Sequence, residues 1–239
     1  MSSGGRRLYP DFLKRAFDLL LSLAAIVCLS PLLLLLAAAG AIAMRGNPFF
    51  SQPRPGRDER IFRILKFRTM TDARDAEGNL LPDAERLNAY GRFLRSTSLD
   101  ELPELFNVAR GDMALVGPRP QLVRDMVFMT PEQRRRHSVR QGISGLAQVN
   151  GRNAVSWEAK LAFDLEYVRD ITFLGDLKIL LATVSGVFGR EGIVEEGNAT
   201  ATDFGDYLLA SGKIGRDEYE RGQEEAKRLL EAAAAGRRE

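Results

Sequence analysis

Histidine and cysteine are almost absent from this chain of 239 residues, which contains one of each. Cys28 lies inside an apolar run, so the chain has neither an intrachain disulfide nor a thiolate metal site. His137 follows three arginines, which disfavour its protonated form, and we expect it at the surface. Nucleophiles and general acids or bases are therefore expected among carboxylates, hydroxyls and lysines.

The common nucleotide and metal signatures are also missing. The sequence contains no glycine-rich dinucleotide fingerprint after a strand, no P-loop and no His-Glu-x-x-His zinc motif. The corresponding classes of dinucleotide-binding protein, P-loop NTPase and zinc peptidase are excluded.

Charge is unevenly distributed although the net charge is only +2. Residues 1–70 hold eleven Lys and Arg against four Asp and Glu, whereas residues 190–239 hold eight against twelve. Basic residues beside an apolar segment are attracted to anionic lipid headgroups, so this asymmetry fits a protein at a membrane surface. Ordinary topology bias would produce the same asymmetry without a function.

The stretch from Leu19 to Met44 carries no charge. At about 1.5 Å per residue, a helix of this length could cross a hydrocarbon core of about 30 Å. Ser30 and Pro31 interrupt it, because proline removes a backbone donor and clashes with the preceding turn. Basic residues flank both ends, which places both ends in the cytoplasm. We predict a re-entrant helix-break-helix hairpin; a kinked bitopic anchor and a cleaved signal peptide are the alternatives.

The pattern predicts an α+β fold that is mostly helical, with a short β element and interfacial helices. We expect a membrane hairpin over residues 1–45, a cytoplasmic catalytic domain over 46–202 and a peripheral charged helical tail over 203–239. The predicted elements are a helix over 12–43, a strand or hairpin within 49–70, and helices over 83–94, 99–108 and 174–188. Two further helices are predicted to begin at the capping residues Thr130 and Ser156.

Two acidic residues, Asp100 and Glu101, stand where a helix is predicted to begin. The field of a helix amino terminus favours ionised carboxylates, which could attack phosphorus or hold Mg²⁺. Acidic residues are also common in a first helical turn simply because they stabilise it, so this alternative stays open.

A rigid arginine turn follows at Arg119, which lies between Pro118 and Pro120. The prolines restrict the backbone, and a guanidinium forks well onto phosphate oxygens, so the turn could clamp an anion. A turn with a solvent-facing arginine is the alternative. Lys66 and Arg95 could add positive charge, and the glycine-punctuated stretch 142–153 could approach a nucleotide or be a simple connection.

Several of these segments together resemble the monotopic polyprenyl-phosphate phosphoglycosyl transferases, the bacterial sugar transferase family. The resemblance covers about residues 10–200. Larger members carry additional transmembrane helices and a further domain, so a small, minimal form is expected. The segments that carry the likeness are the hairpin with Ser30-Pro31 and the stretches 66–70, 98–103, 111–113, 117–120 and 145–152.

The resemblance implies a two-step reaction. Asp100 would attack the β-phosphate of a UDP-sugar and release UMP, and polyprenyl (undecaprenyl) phosphate would then accept the sugar phosphate. Mg²⁺ would lie beside Asp100, and Glu101 would assist binding or proton transfer. Lys66, Arg95 and Arg119 would neutralise phosphates. The residues expected to contact the nucleotide or sugar are Pro118, Gln148, Asn150, Arg152 and Asp164.

The implied location is the cytoplasmic leaflet of the bacterial inner membrane. No nucleic-acid partner is expected, and association into a homo-oligomer stays open. Two other functions also stay open: a membrane-anchored basic binding module without catalysis, and a metal-dependent lipid phosphatase or pyrophosphatase.

Overall fold

The computed structural model describes residues 8–151, 155–189 and 202–236, which are mostly helical, as predicted. They contain two small sheets, of which only the first was predicted. Short turns of other helical types are formed by Tyr9–Leu13, Arg57–Glu59, Leu99–Glu101 and Arg135–Ser138. The strands are β1 (Phe49–Pro55), β2 (Ile61–Phe67), β3 (Ala114–Val116) and β4 (Gly142–Ser144). The helices are α1 (Lys14–Ala43), α2 (Asp83–Arg86), α3 (Ala89–Thr97), α4 (Glu104–Arg110), α5 (Val123–Met126), α6 (Pro131–Arg134), α7 (Leu146–Val149), α8 (Trp157–Arg169), α9 (Phe173–Gly189), α10 (Phe204–Ala210) and α11 (Arg216–Ala235).

The first sheet is the predicted hairpin, in which β1 and β2 pair antiparallel. Arg54 lies opposite Phe62, and Phe50 lies opposite Lys66. Because side chains two apart along a strand share a face, Arg54 and Lys66 project from the same side of the hairpin. The hairpin therefore brings two cations to one surface.

The second sheet pairs β3 with β4 in parallel. Its backbone pairing extends beyond the strands, since Gly117 N donates to Ser144 O and Gly142 N donates to Pro118 O, both at 2.9 Å. A Cβ at Gly117 would lie 2.5 Å from Arg140 O. This close approach of two backbones is a physical reason for glycine in the turn before Arg119.

Helix α1 is continuous, so the two helices predicted on either side of Ser30 and Pro31 are one helix. Pro31 cannot donate to the carbonyl of Val27, four residues earlier. The Ser30 hydroxyl donates to that carbonyl at 2.8 Å and replaces the missing bond. A local side-chain hydrogen bond thus supports a helix that the sequence pattern predicts to break.

One side of α1 packs on the remainder of the protein from end to end. Near its start, Asp18 accepts a hydrogen bond from Leu115 N at 3.2 Å. Near its end, Tyr90 Oη donates to Leu36 O at 2.8 Å, and Asn88 Nδ2 donates to Ala43 O at 3.1 Å. The opposite side exposes large apolar residues, namely Leu20, Val27, Leu34, Leu35 and Ile42.

Two predicted helices are divided in the structure. The one over 83–94 becomes α2 and α3, because the Asn88 side chain accepts from Gly91 N and begins a new helix. The one over 99–108 becomes a 3₁₀ turn followed by α4, which begins after Pro103. The caps predicted at Thr130 and Ser156 are confirmed, each accepting a backbone hydrogen bond three residues on.

The carboxyl-terminal helices contact the rest of the described chain. Phe204 and Leu208 of α10 pack with Met129 and Leu161. Ala226 of α11 packs with Val123 and Met126 of α5. The tail predicted to be peripheral therefore covers the helix that follows the Arg119 turn, although the division into domains stays a prediction.

Candidate active site

The Asp100-Glu101 pair lies in the 3₁₀ turn between α3 and α4, rather than in the first turn of a helix as predicted. Ser98 precedes it with a φ of 55°, a left-handed conformation that ends α3 and redirects the chain. The pair is therefore held at a sharp bend between two helices.

Glu101 is bound by two of the three cations that were predicted to neutralise phosphates. Lys66 Nζ lies 2.7 Å from Glu101 Oε1. Arg119 Nη2 lies 2.5 Å from the same oxygen, and Arg119 Nη1 lies 3.4 Å from Oε2. The hairpin, the turn between α3 and α4, and the arginine turn after β3 converge on this one carboxylate.

A second carboxylate, Glu104, completes this cluster and was not predicted as a site residue. It is buried at the start of α4, and its Oε1 lies 3.1 Å from Lys66 Nζ. Burial raises the pKa of Glu104 to about 7 despite the nearby charge of Lys66. Its spacing of three from Glu101 was a usable signal, since residues three apart share a face in helical structure.

The charges of this cluster stabilise one another. Burial acts to raise the pKa of Glu101, but Arg119 and Lys66 outweigh it and hold that pKa far below its usual range. Glu101 in turn raises the pKa of Arg119. Burial acts to lower the pKa of Lys66, but Glu101 and Glu104 raise it overall. Both cations therefore stay charged beside an ionised Glu101.

Asp100 differs from its neighbour because its carboxylate has no hydrogen bond or ion pair with any described residue. Burial raises the pKa of Asp100, and the charge of Lys66 opposes this rise. The two adjacent carboxylates therefore have different roles: Glu101 holds the cations, and Asp100 is available to a ligand.

Comparison with known families identifies the family of the chain. Residues 9–190 match the model of the bacterial sugar transferases. The chain belongs to this family. The predicted resemblance is thereby confirmed, and with it the assignment of the protein as a transferase.

Individual members of the bacterial sugar transferase family show the range of lengths. The chain is 48% identical over 192 residues to the uncharacterized sugar transferase EpsL of Bacillus subtilis, covering 80% of this chain and 95% of that protein. It is 35% identical over 202 residues to the exopolysaccharide production protein ExoY of Sinorhizobium fredii, covering 77% and 89%. It is 36% identical over 199 residues to the undecaprenyl-phosphate galactose phosphotransferase of Salmonella typhimurium, covering 76% of this chain but 41% of that longer protein.

The Arg119 turn of this sugar transferase is supported from behind by Arg136. Arg136 Nη2 donates to Arg119 O at 2.5 Å. Asp164, which is 3% exposed, accepts from Arg136 Nε at 2.8 Å. Asp164 was predicted to contact nucleotide or sugar, and its burial favours a positioning role instead, since its carboxylate fixes the guanidinium that holds the turn.

The remaining predicted residues are distributed around this site. Arg95 Nε donates to Thr69 Oγ1 at 3.1 Å, and its charge, like that of Lys66, opposes the rise that burial causes in the pKa of Asp100, which places Arg95 near the cluster. Gln148 donates to Ile143 O at 2.9 Å. Pro118 is buried in the turn before Arg119, and Asn150 Nδ2 donates to Leu146 O at the end of α7. Arg152 lies outside the described residues.

The expectation that His137 lies at the surface is wrong, because it is 1% exposed. The turn Arg135–Ser138 directs Arg136 and His137 inward together, where Nδ1 lies 3.2 Å from Arg134 O. Burial, followed by the charge of Arg136, lowers the pKa of His137 to about 3. It stays neutral at physiological pH and serves as packing.

Arg54 is, after Glu104, the second residue near the site that was not predicted from the sequence. Burial, followed by the neighbouring charge of Arg119, lowers the pKa of Arg54 to about 10. Its face on the β hairpin is the one that carries Lys66, so strand register would have indicated it. The site thus contains one more cation than predicted.

Proposed function

We propose that this protein transfers a sugar 1-phosphate from a UDP-sugar to polyprenyl phosphate, and that Asp100 carries the sugar phosphate between the two steps. The observation that supports this most is the uncommitted carboxylate of Asp100 beside Lys66, Arg95 and Arg119. Two relatives are named undecaprenyl-phosphate glucose phosphotransferase and undecaprenyl-phosphate galactose phosphotransferase, which supports this acceptor.

The first step is an attack by an Asp100 oxygen on the β-phosphorus of the donor. A new oxygen–phosphorus bond forms, the bond to the UMP oxygen breaks, and UMP leaves with the electron pair. The cations reduce the repulsion between the carboxylate and the diphosphate. In the second step an oxygen of polyprenyl phosphate attacks the same phosphorus and displaces Asp100.

Glu101 and Glu104 have supporting roles in this scheme. Glu101 binds Lys66 and Arg119 through one carboxylate, so both cations are in place before the donor arrives. Glu104 holds Lys66 from the other side. Because both carboxylates are committed to Lys66, neither competes with Asp100 for the phosphorus.

A magnesium ion fits this site as a companion of the diphosphate rather than as a resident of a protein cage. Among the described residues, no group of three or more His, Cys, Asp or Glu side chains could hold a metal. Mg²⁺ commonly uses one or two carboxylates together with substrate phosphates, and Asp100 offers such a ligand. When bound, the ion would neutralise diphosphate charge.

The packing of α1 supports a monotopic location on the cytoplasmic face of the bacterial inner membrane. A helix crossing the bilayer would move one end away from a domain on the cytoplasmic side. Here Lys14 at one end contacts Asp176, and Ala43 at the other end contacts Asn88. The exposed apolar side of α1 would face lipid while both ends stay with the domain, which suits a helix embedded in one leaflet.

The covalent step can be tested with donor alone. Protein incubated with a UDP-sugar and without lipid acceptor should release one UMP per site and carry a sugar-phosphate adduct on Asp100, as detected by mass spectrometry. Asp100→Asn should remove both signals, whereas Asp72→Asn, an exposed carboxylate paired with Arg68, should keep them. Absence of any adduct, or release of inorganic phosphate in place of UMP, would contradict the proposal.

The topology can be tested separately by thiol labelling. In a Cys28→Ser background, Gly46→Cys lies just beyond the end of α1 and Leu8→Cys lies before its start. Both thiols should react only from the cytoplasmic side of sealed vesicles. Labelling of the two positions from opposite sides would show a bitopic helix.

A further inference from the structure

A second group of cations surrounds a cavity of about 390 Å³ that Arg15, Arg57 and Arg140 help to line. Helix α4 separates this cavity from the active site. Its first residue, Glu104, contacts Lys66, whereas carbonyls of its last turn contact Arg15. Seven helical residues rise about 10 Å, so the two groups of cations are distinct.

Backbone carbonyls hold two of these arginines in place. Arg15 donates to Val108 O at 2.6 Å and to Ala109 O at 2.8 Å. Arg140 Nε donates to Gly111 O at 2.9 Å, which leaves both of its terminal nitrogens without a hydrogen bond to any described side chain. The guanidiniums are therefore ordered before any ligand binds, and Arg140 keeps donors free.

The positive charge of Arg15 and Arg140 is not balanced by the described side chains. Arg57 differs, because its Nε lies 3.5 Å from Asp58 Oδ2 in an exposed pair. Asp18 is the carboxylate that lines the cavity, and it already accepts from Leu115 N and lies 3.9 Å from Lys14. No described carboxylate lies within 4.0 Å of Arg15 or Arg140. Burial and then the charges of Arg15 and Arg57 lower the pKa of Arg140, as expected when like charges face one another.

The cavity also lies where the chain approaches lipid. Pro10 lines it, and the exposed apolar residues Phe12 and Leu13 follow directly. The uncharged stretch of α1 begins a few residues later, at Leu19. If α1 is immersed as proposed above, the cavity opens at the depth of the lipid headgroups.

We infer that this cavity is a second phosphate-binding site, separate from the site of Asp100, that takes a phosphate monoester or diester. Guanidiniums bind phosphate oxygens through paired hydrogen bonds, and Arg57 at the rim supplies a further, more mobile cation. The phosphate is either the headgroup of an anionic membrane lipid or a phosphate free in solution. Bound phosphate relieves the repulsion among the three arginines and joins the start of α1 to the end of α4.

The site can be probed by a thiol placed in the cavity. Ser138 lines the cavity and is exposed, so Ser138→Cys in the Cys28→Ser chain provides one reporter thiol. The full-length protein is placed in phosphatidylcholine vesicles, with phosphatidylglycerol or inorganic phosphate added separately. Ligand at ten times its Kd should slow alkylation of the thiol about tenfold, because about one site in eleven stays free.

Two sets of variants decide the outcome. Arg57→Gln combined with Arg140→Gln should abolish the slowing, whereas Arg110→Gln, an exposed arginine paired with Asp112, should retain it. Slowing by phosphatidylglycerol alone assigns the site to lipid, and slowing by inorganic phosphate assigns it to a free phosphate. An unchanged rate with both ligands, or slowing that persists in the double variant, would overturn the inference.

Thermal unfolding of the unaltered chain gives a measure that needs no new thiol. Either ligand should raise the Tm at constant ionic strength, and the double variant should lose that rise. A rise of equal size in both proteins would place the anion elsewhere. Because this readout is independent of UMP release, the inferred phosphate site can be disproved while the proposed function stands. The proposed function can likewise be disproved while the phosphate site stands.

Discussion

The two groups of cations in this protein differ in how their charge is balanced. At the amino end of α4, Lys66 and Arg119 share the carboxylate of Glu101. At its carboxyl end, Arg15 and Arg140 are held by neutral backbone carbonyls. The first group is ordered by its own carboxylates and needs a ligand only for chemistry, whereas the second keeps an excess of charge that an external anion would balance.

The largest expected effect comes from unbalancing the first group. Glu101→Gln removes the shared negative charge, so Lys66 and Arg119 lose the group that places them. We expect the rate of UMP release to fall by at least about 10²-fold, the loss that a misplacement of about 1 Å can cause. Glu158→Gln is a matched control, because Glu158 pairs with Lys213 at the surface and should keep the full rate. A Glu101→Gln protein with normal turnover would remove this role from Glu101.

The support behind the arginine turn gives the next effect. Asp164→Asn leaves the fully buried charge of Arg136 without its counterion, which costs about 3–5 kcal/mol of folding free energy. Chemical or thermal unfolding in detergent should show this loss. Asp72→Asn, which breaks an exposed pair, should change stability by less than about 1 kcal/mol. Equal stability of the two variants would mean that Arg136 is solvated or re-paired.

The pH dependence of stability should reveal Glu104. Its pKa in the folded state is about 7, raised from 4.5, so the folded protein binds a proton more tightly than the unfolded chain. The stability that the protonated Glu104 side chain contributes is fully present below pH 4.5 and is lost as the pH rises through 7. Relative to Glu104→Gln, the unaltered protein should lose on the order of 3 kcal/mol over this range. Parallel stability curves for the two proteins would show that Glu104 does not titrate there.

The smallest effect concerns the second group of cations. In phosphate-free buffer of low ionic strength, and in an Asp58→Asn background that removes the exposed pair of Arg57, Arg57→Gln should stabilise the protein slightly, by up to about 0.5 kcal/mol, because it removes repulsion from Arg140. The gain should disappear in high salt, as a differential unfolding measurement can show. Destabilisation of the same size at both salt concentrations would instead indicate that Arg57 contributes packing rather than charge.

Much of the local structure could be predicted from the sequence because its causes are local. The alternating hairpin, the cap at Thr130 and the cap at Ser156 all appear as predicted. The continuity of α1 was not predicted, although its cause is also local. The Ser30 hydroxyl satisfies the Val27 carbonyl, and a pattern that treats proline only as a breaker does not include this bond.

The candidate site was predicted in part. Lys66, Glu101 and Arg119 were selected from three separate segments and lie together. Glu104 and Arg54 were not selected, although the spacing of Glu104 from Glu101 and the strand register of Arg54 were usable signals. Their burial beside the other charges becomes visible only when the hairpin packs on α4. Asp164 was selected as a contact of nucleotide or sugar, but burial against Arg136 favours a structural role for it. His137 was expected at the surface, and it is buried beside the same arginine.

The sequence by itself determined the apolar helix, the acidic pair, the rigid arginine turn and, through their order along the chain, membership of the bacterial sugar transferase family. These features depend on neighbours within a few residues, so they are readable without a fold. Only the tertiary structure decided which carboxylate is committed to cations and which stays available, and which arginines are balanced. Those distinctions arise from contacts between residues far apart in sequence. Burial of such residues increases the energetic effect of every charge that has no partner.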